Sequence, residues 1–165
     1  MLIILIVCAA LTPATLRAAE LADSAQHVRV VNAIRNDAGD EFAVTLRVAP
    51  GYHVNANPAT LDYLIPTALK FVGLEPIRIV YPAPVQFRPK FANQEIAVYQ
   101  GTVVIAALFP KGALGRVKSL RAMVTVQACT EIICLPPSEL PVRSRPRRGN
   151  MPRFVPGVAG SPAEK

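Results

Sequence analysis

From Leu120 to Cys129 the chain alternates with a period of two: Leu120, Ala122, Val124, Val126 and Ala128 point one way, and Arg121, Met123, Thr125, Gln127 and Cys129 the other. That pattern is a β-strand with one apolar face, and Cys129 leaves it on the face not committed to the core. After a short connection, Thr130–Ile133, Cys134 opens the return segment, with Pro136 and Pro137 close behind. Prolines supply no backbone N–H and favour an edge or a strand start. A four-residue connection can bring two Cα atoms within the roughly 4.4–6.8 Å that a disulfide spans.

The rest of the chain repeats the period. His27–Ile34 alternates, Asn36–Asp40 carries turn chemistry, and Phe42, Val44, Leu46 and Val48 give a second strand with a clear inside face. Tyr52–Pro58 reads as a short strand running into a loop, and further strands are expected at 69–72, 77–81, 96–99 and 102–109. Pro82–Asn93, with three prolines and two phenylalanines, reads as an ordered loop. Sixteen prolines, no tryptophan and no convincing helix-period stretch predict an all-β sandwich. The 165 residues suffice for one domain with a real core and not for two.

Leu2–Leu11 is an apolar run too short to span a bilayer, and residues 1–22 are expected to be a secretory signal peptide, with Cys8 as part of its filler. Export permits disulfides to persist. The expected domain is 23–142, followed by a disordered Pro/Arg-rich tail at 143–165. Eleven Lys/Arg face nine Asp/Glu in Asp23–Val142, whereas the tail holds six Lys/Arg and one acid. A nearly neutral domain argues against a nucleic-acid-binding face. The tail reads as a solvated end, with weak contact to anionic lipid as its other reading.

On residue type alone the pair Cys129/Cys134 leaves two classes of function open. One is a structural bridge in a binding or assembly domain; the other is a redox-active dithiol at one end of the sandwich. A short loop removes little entropy from the unfolded chain, which argues mildly against a stabilising role. Two sulfurs without a second pair of ligands do not make a metal site, and His53 reads as an ordinary packed or half-exposed strand residue. Neither a metal nor a cofactor is expected.

Four blocks in order then carry a resemblance: Gly51–Pro58, Tyr63–Thr67, Val98–Gly101, and Gln127-Ala128-Cys129 with Cys134-Leu135-Pro136-Pro137. Together, over roughly Ala25–Val142, the chain resembles the N-terminal periplasmic domain of the DsbD thiol:disulfide interchange protein. The resemblance implies an immunoglobulin-like sandwich with protein-disulfide reductase activity in the periplasm. It would take electrons from a thioredoxin-like donor and reduce disulfide-containing acceptors, including those of cytochrome c maturation. Carried over, Cys134 matches the cysteine that forms the mixed disulfide and Cys129 the one that resolves it. A cap loop shields the family's pair; Pro82–Asn93 occupies that position, with Phe91 first and Phe87 second as its aromatic. His53, Asn55 and Tyr99 fall near the active site by the same resemblance. Two departures stand out. Arg88-Pro89-Lys90 replaces an acidic stretch, and His53 and Asn55 stand where tyrosines are found in some members. The sequence as read carries neither a membrane domain nor a thioredoxin-like domain, so the donor is expected to be a separate protein.

Overall fold

A computed structural model describes residues 22–146 apart from 37 and 119. Residues 1–21 of the expected signal peptide and all of the basic tail beyond Pro146 lie outside the described residues. Among the described residues, twelve strands follow a 3-10 turn at Ser24–Gln26: β1 (Val28–Arg35), β2 (Glu41–Val48), β3 (His53–Asn55), β4 (Ala68–Val72), β5 (Arg78–Val80), β6 (Val85–Phe87), β7 (Ile96–Tyr99), β8 (Thr102–Leu108), β9 (Arg121–Val126), β10 (Ala128–Cys129), β11 (Ser138–Arg143) and β12 (Arg145–Pro146). The fold is an all-β sandwich, as the alternation predicts, and an immunoglobulin-like one, as the resemblance implies.

Three sheets share the strands, in the orders β12-β1-β2-β8-β5, β10-β3-β7-β6 and β11-β9-β4. The core lies between the first sheet and the other two. In β2 the buried side chains are Phe42, Val44, Leu46 and Val48, and the first three stand opposite Ala107, Ile105 and Val103 of β8 on the same face. Leu69 of β4 and Ala122, Val124 and Val126 of β9 meet them from the other layer. Phe71 locks the layers with edge-on contacts to Phe42 (5.3 Å) and Phe109 (5.0 Å).

Two expectations need correction. Pro82–Asn93 is not loop throughout: Val85, Gln86 and Phe87 pair antiparallel with Val98, Ala97 and Ile96. The segment tolerates its prolines because β6 is the sheet's edge and Pro82, Pro84 and Pro89 lie outside the paired residues. Nor is Leu120–Cys129 one uninterrupted strand. It breaks at Gln127, where the chain leaves β4 and β11 and passes to β3. Ordered structure also continues past Val142, with Arg145 and Pro146 paired parallel to Ile34 and Arg35.

The β1–β2 turn depends on Gly39, which sits at φ +68° and whose missing Cβ leaves room for the Gly115 backbone N, 2.9 Å from where that atom would stand. Gly39 also accepts a backbone hydrogen bond from Leu114 N at 2.9 Å. Gly39→Ala therefore combines left-handed strain with a backbone clash. The expected loss is about 1–3 kcal/mol, or more if Gly115 cannot shift, read as a lower urea midpoint with unchanged cooperativity.

Candidate functional site

The cysteine site is built by strand register. β10 joins β3 with Ala128 opposite Val54 and Cys129 opposite His53. β3 joins β7 through Val54–Tyr99 and Asn55–Val98, and β7 joins β6 through Val98–Val85 and Ile96–Phe87. Opposed residues share a face and neighbours along a strand alternate. One face thus carries Ala128, Val54 and Tyr99, which enter the main core. The other carries Cys129, His53, Asn55, Val98, Ile96 and Phe87. This outer face has its own cover: Leu64, Ile96 and Val98 form a second buried cluster on which Leu61, Phe87, Phe91 and Cys134 pack. Cys129 does point away from the main core, yet it is wholly buried.

Cys129 and Cys134 are disulfide-bonded, with S–S 2.02 Å and Cα–Cα 3.9 Å. The Cα separation is below the range expected from the spacing, and the two residues face each other across an antiparallel bridge. Leu135 N donates to Ala128 O (2.9 Å) and Thr130 N to Ile133 O (2.8 Å), closing a tight hairpin around the pair. No residue of the turn has positive φ. Instead the Thr130 hydroxyl accepts from Ile132 N and Ile133 N, both at 3.2 Å, a side-chain substitute for turn glycine or asparagine. Cys134 is partly exposed, and Ile132 and Ile133 at the tip are exposed at 67% and 59%.

Side chains outside the hairpin fix it. Ser24, fully buried, receives Ala128 N on its Oγ at 2.8 Å and donates the same hydroxyl to Pro136 O at 2.7 Å, so it ties both arms together. Gln127 Oε1 accepts from Asn55 Nδ2 and Ile65 N, both at 3.0 Å. Asn55 Nδ2 also donates to Ile65 O at 3.0 Å, which pins the covering segment to β3. From the other side, Lys90 N donates to Glu131 O at 2.7 Å, and their side chains form an exposed ion pair at 3.4 Å.

Of the residues expected near the pair, the structure gathers Phe87, Phe91, His53 and Asn55 on the outer face or its cover. Both phenylalanines belong to the cluster that includes Cys134; Phe87 also lies 4.5 Å from the His53 ring. Tyr99 is elsewhere. It sits on the opposite face, in the main core, with its hydroxyl accepting from Asn57 N at 3.1 Å. His53, read from sequence as an ordinary strand residue, is 1% exposed, and its Nε2 is buried without a hydrogen-bond partner. Burial pushes its pKa from 6.5 down to about 4, so the ring is neutral. Sequence reasoning passed over Ser24 altogether. A lone serine more than a hundred residues from the cysteines carries no signal until the chain is folded. Among the described residues no group of three or more His, Cys, Asp or Glu is gathered to hold a metal.

Fold and site together define a β-sandwich domain with a cysteine disulfide at one end of its second sheet, an arrangement consistent with thiol–disulfide exchange. Residues 19–144 match the family described as "Thiol:disulfide interchange protein DsbD, N-terminal", and the chain belongs to that family. Among solved structures it is similar to the N-terminal periplasmic domain of ScsB from Proteus mirabilis, with 16% identity and TM-score 0.51 over 75% of this chain and 52% of that one. The chain thus spans about half the length of that structure. It is also similar to the reduced DsbD N-terminal domain of Neisseria meningitidis, at 19% identity and TM-score 0.48, over 64% of this chain and 77% of that one. No curated protein matches it.

Two outcomes follow from the site's burial. Ser24→Ala strands the Ala128 N–H in the interior and frees both hairpin arms; the expected cost is about 1–3 kcal/mol, measured by chemical denaturation of the oxidised protein. His53 should give an acid-side loss of stability. Its folded pKa is depressed, so its contribution is whole above pH 6.5, where folded and unfolded rings are both neutral. As pH falls toward 4 the unfolded chain takes up a proton that the folded one refuses, and stability drops by up to about 1.4 kcal/mol per pH unit. In His53→Phe that part of the slope should disappear, seen by comparing urea midpoints of the two proteins from pH 7 to 4.

Proposed function

We propose that this domain is a periplasmic thiol–disulfide exchange module that passes electrons from a thioredoxin-like donor to oxidised acceptor proteins through Cys129 and Cys134. The observation that carries this is where the disulfide lies. It closes a hairpin at one end of a sheet and joins no two layers, and on the chain-entropy view a loop this short restrains the unfolded state by only about 2 kcal/mol, against about 4.7 kcal/mol for a 100-residue loop. The two sulfurs also differ in access as exchange requires: Cys134 is partly exposed and Cys129 sealed. Cys134 then attacks or is attacked by the visiting protein, and Cys129 resolves the mixed disulfide.

Family membership supports a periplasmic site of action and thioredoxin-like partners. Among the described residues no helix is long and apolar enough to cross a membrane. Phe91 and Phe87 serve as the apolar shield, held over Cys134 by the covering cluster and by the Lys90–Glu131 contacts. Reduction of acceptors, including those of cytochrome c maturation, is the direction assigned here.

Dithiothreitol should open the bridge while leaving far-UV circular dichroism and cooperative unfolding in place. Cys129→Ser, expressed in the native periplasm, should accumulate mixed disulfides through Cys134 with thioredoxin-fold proteins, seen as reductant-sensitive bands whose partners are identified by mass spectrometry. A folded Cys129→Ser protein that captures none, together with unfolding on reduction, would leave the bridge a structural one.

A further inference from the structure

A groove of about 1000 Å³ opens beside the cysteine hairpin and runs from one layer of the sandwich to the other. Arg29 and Arg47 line it on the first sheet; His53 and Phe87 line it on the second, with Glu131 of the hairpin itself. Its walls are the two connections that cross between the layers, Ala49–Tyr52 after β2 and Gln100-Gly101 after β7. Val48 N donates to Gly101 O at 2.8 Å and Ala49 N to His27 O at 2.8 Å, which fixes those walls to each other and to the start of β1. The His27 and Tyr52 rings stack at 3.8 Å, and the stack joins the two ends. His27 lies two residues before Arg29, and Tyr52 directly precedes His53.

Arg29 and Arg47 are directly opposed across the β1–β2 ladder, and both are exposed. Like charges in that register repel, whereas an acid at either position would have paired. Among the described residues neither arginine is ion-paired, and Glu131, the acid that lines the groove, is engaged by Lys90. The far end of the groove is thus a pair of guanidiniums without a counter-charge, and their planar forks suit carboxylates.

We propose that this groove seats an acidic segment of the exchange partner, with its carboxylates on Arg29 and Arg47 while its cysteine meets Cys134. The proposal rests on the exchange function stated above and adds the chemistry by which a partner is chosen. The chain's own tail does not fit as the occupant, since its six Lys/Arg and one acid are repelled by the same arginines. Exposed ion pairs add little to the hold on a bound partner. Complementary charge acts on the encounter instead, raising association by roughly tenfold or more at low salt.

The test uses the whole reduced protein and two short peptides, each with one cysteine held as a mixed disulfide with thionitrobenzoate. Glutamates flank the cysteine in one peptide and lysines in the other. The Cys134 thiolate attacks the peptide sulfur; the Cys134–peptide bond forms, the peptide–thionitrobenzoate bond breaks, and coloured thionitrobenzoate leaves with the electron pair. At about 0.01 M salt the acidic peptide should react about tenfold faster than the basic one. The ratio should approach one at about 1 M salt, where charges are screened within about 3 Å. At low salt the ratio should fall to about twofold in Arg29→Gln/Arg47→Gln and lower still in Arg29→Glu/Arg47→Glu. The basic tail is common to all three proteins and cannot produce that difference. Neutral 2,2′-dithiodipyridine should react at the wild-type rate in both variants, because neither substitution touches the sulfurs. A folded glutamine variant that keeps the wild-type preference overturns the proposal. So does wild-type protein that ignores peptide charge but sediments with phosphatidylglycerol vesicles through the same arginines, which would give the groove to lipid. Wild-type protein inert to dithiodipyridine and to both peptides overturns the exchange function itself, so the two failures are distinct.

Discussion

The site depends on two residue pairs, Ala128 with Val54 and Cys129 with His53. By leaving β9's sheet at Gln127 and joining β3, the chain keeps Ala128 in the main core and brings Cys129, on the other side, opposite His53. Had the strand stayed with β4 and β11, nothing in the register would bring Cys129 opposite His53. The same shift places the hairpin beside Ser24, whose hydroxyl can then serve both arms. Register therefore governs burial, sulfur access and the histidine's company together, because a slip of one residue sends each side chain to the opposite face.

The cover over the sulfurs is held less firmly than the sandwich beneath it. Its fully buried members are three, Leu64, Ile96 and Val98, whereas the main cluster buries more than twenty side chains. The Lys90–Glu131 ion pair that bridges cover and hairpin is solvent-exposed and contributes little; the backbone bond from Lys90 N to Glu131 O is the firmer link. A region with few buried apolar contacts opens at lower cost than the global fold.

Much of this was legible in the residues. Period-two patterning located nearly every strand, because Phe42, Val44 and Leu46 have only one way to be buried together. The cysteine hairpin was legible from its spacing and prolines. The β6 strand was obscured by Pro82, Pro84 and Pro89, which mask an edge strand since each sits just outside the paired residues. Tyr99 was assigned to the site's vicinity by motif order, yet parity along β7 sends it to the far face. Ser24 was illegible because its hydroxyl acts on Ala128 and Pro136, more than a hundred positions away, and only the folded register makes that contact.

The two ends of the described chain leave from opposite poles. Ser24, bonded to Pro136, enters beside the sulfurs, whereas Arg145 and Pro146 lie along Ile34 and Arg35, at the other end of β1. Six residues of strand separate Val28 from Ile34, roughly 20 Å at the usual rise. The described chain therefore begins beside the sulfurs and ends a strand's length away from them.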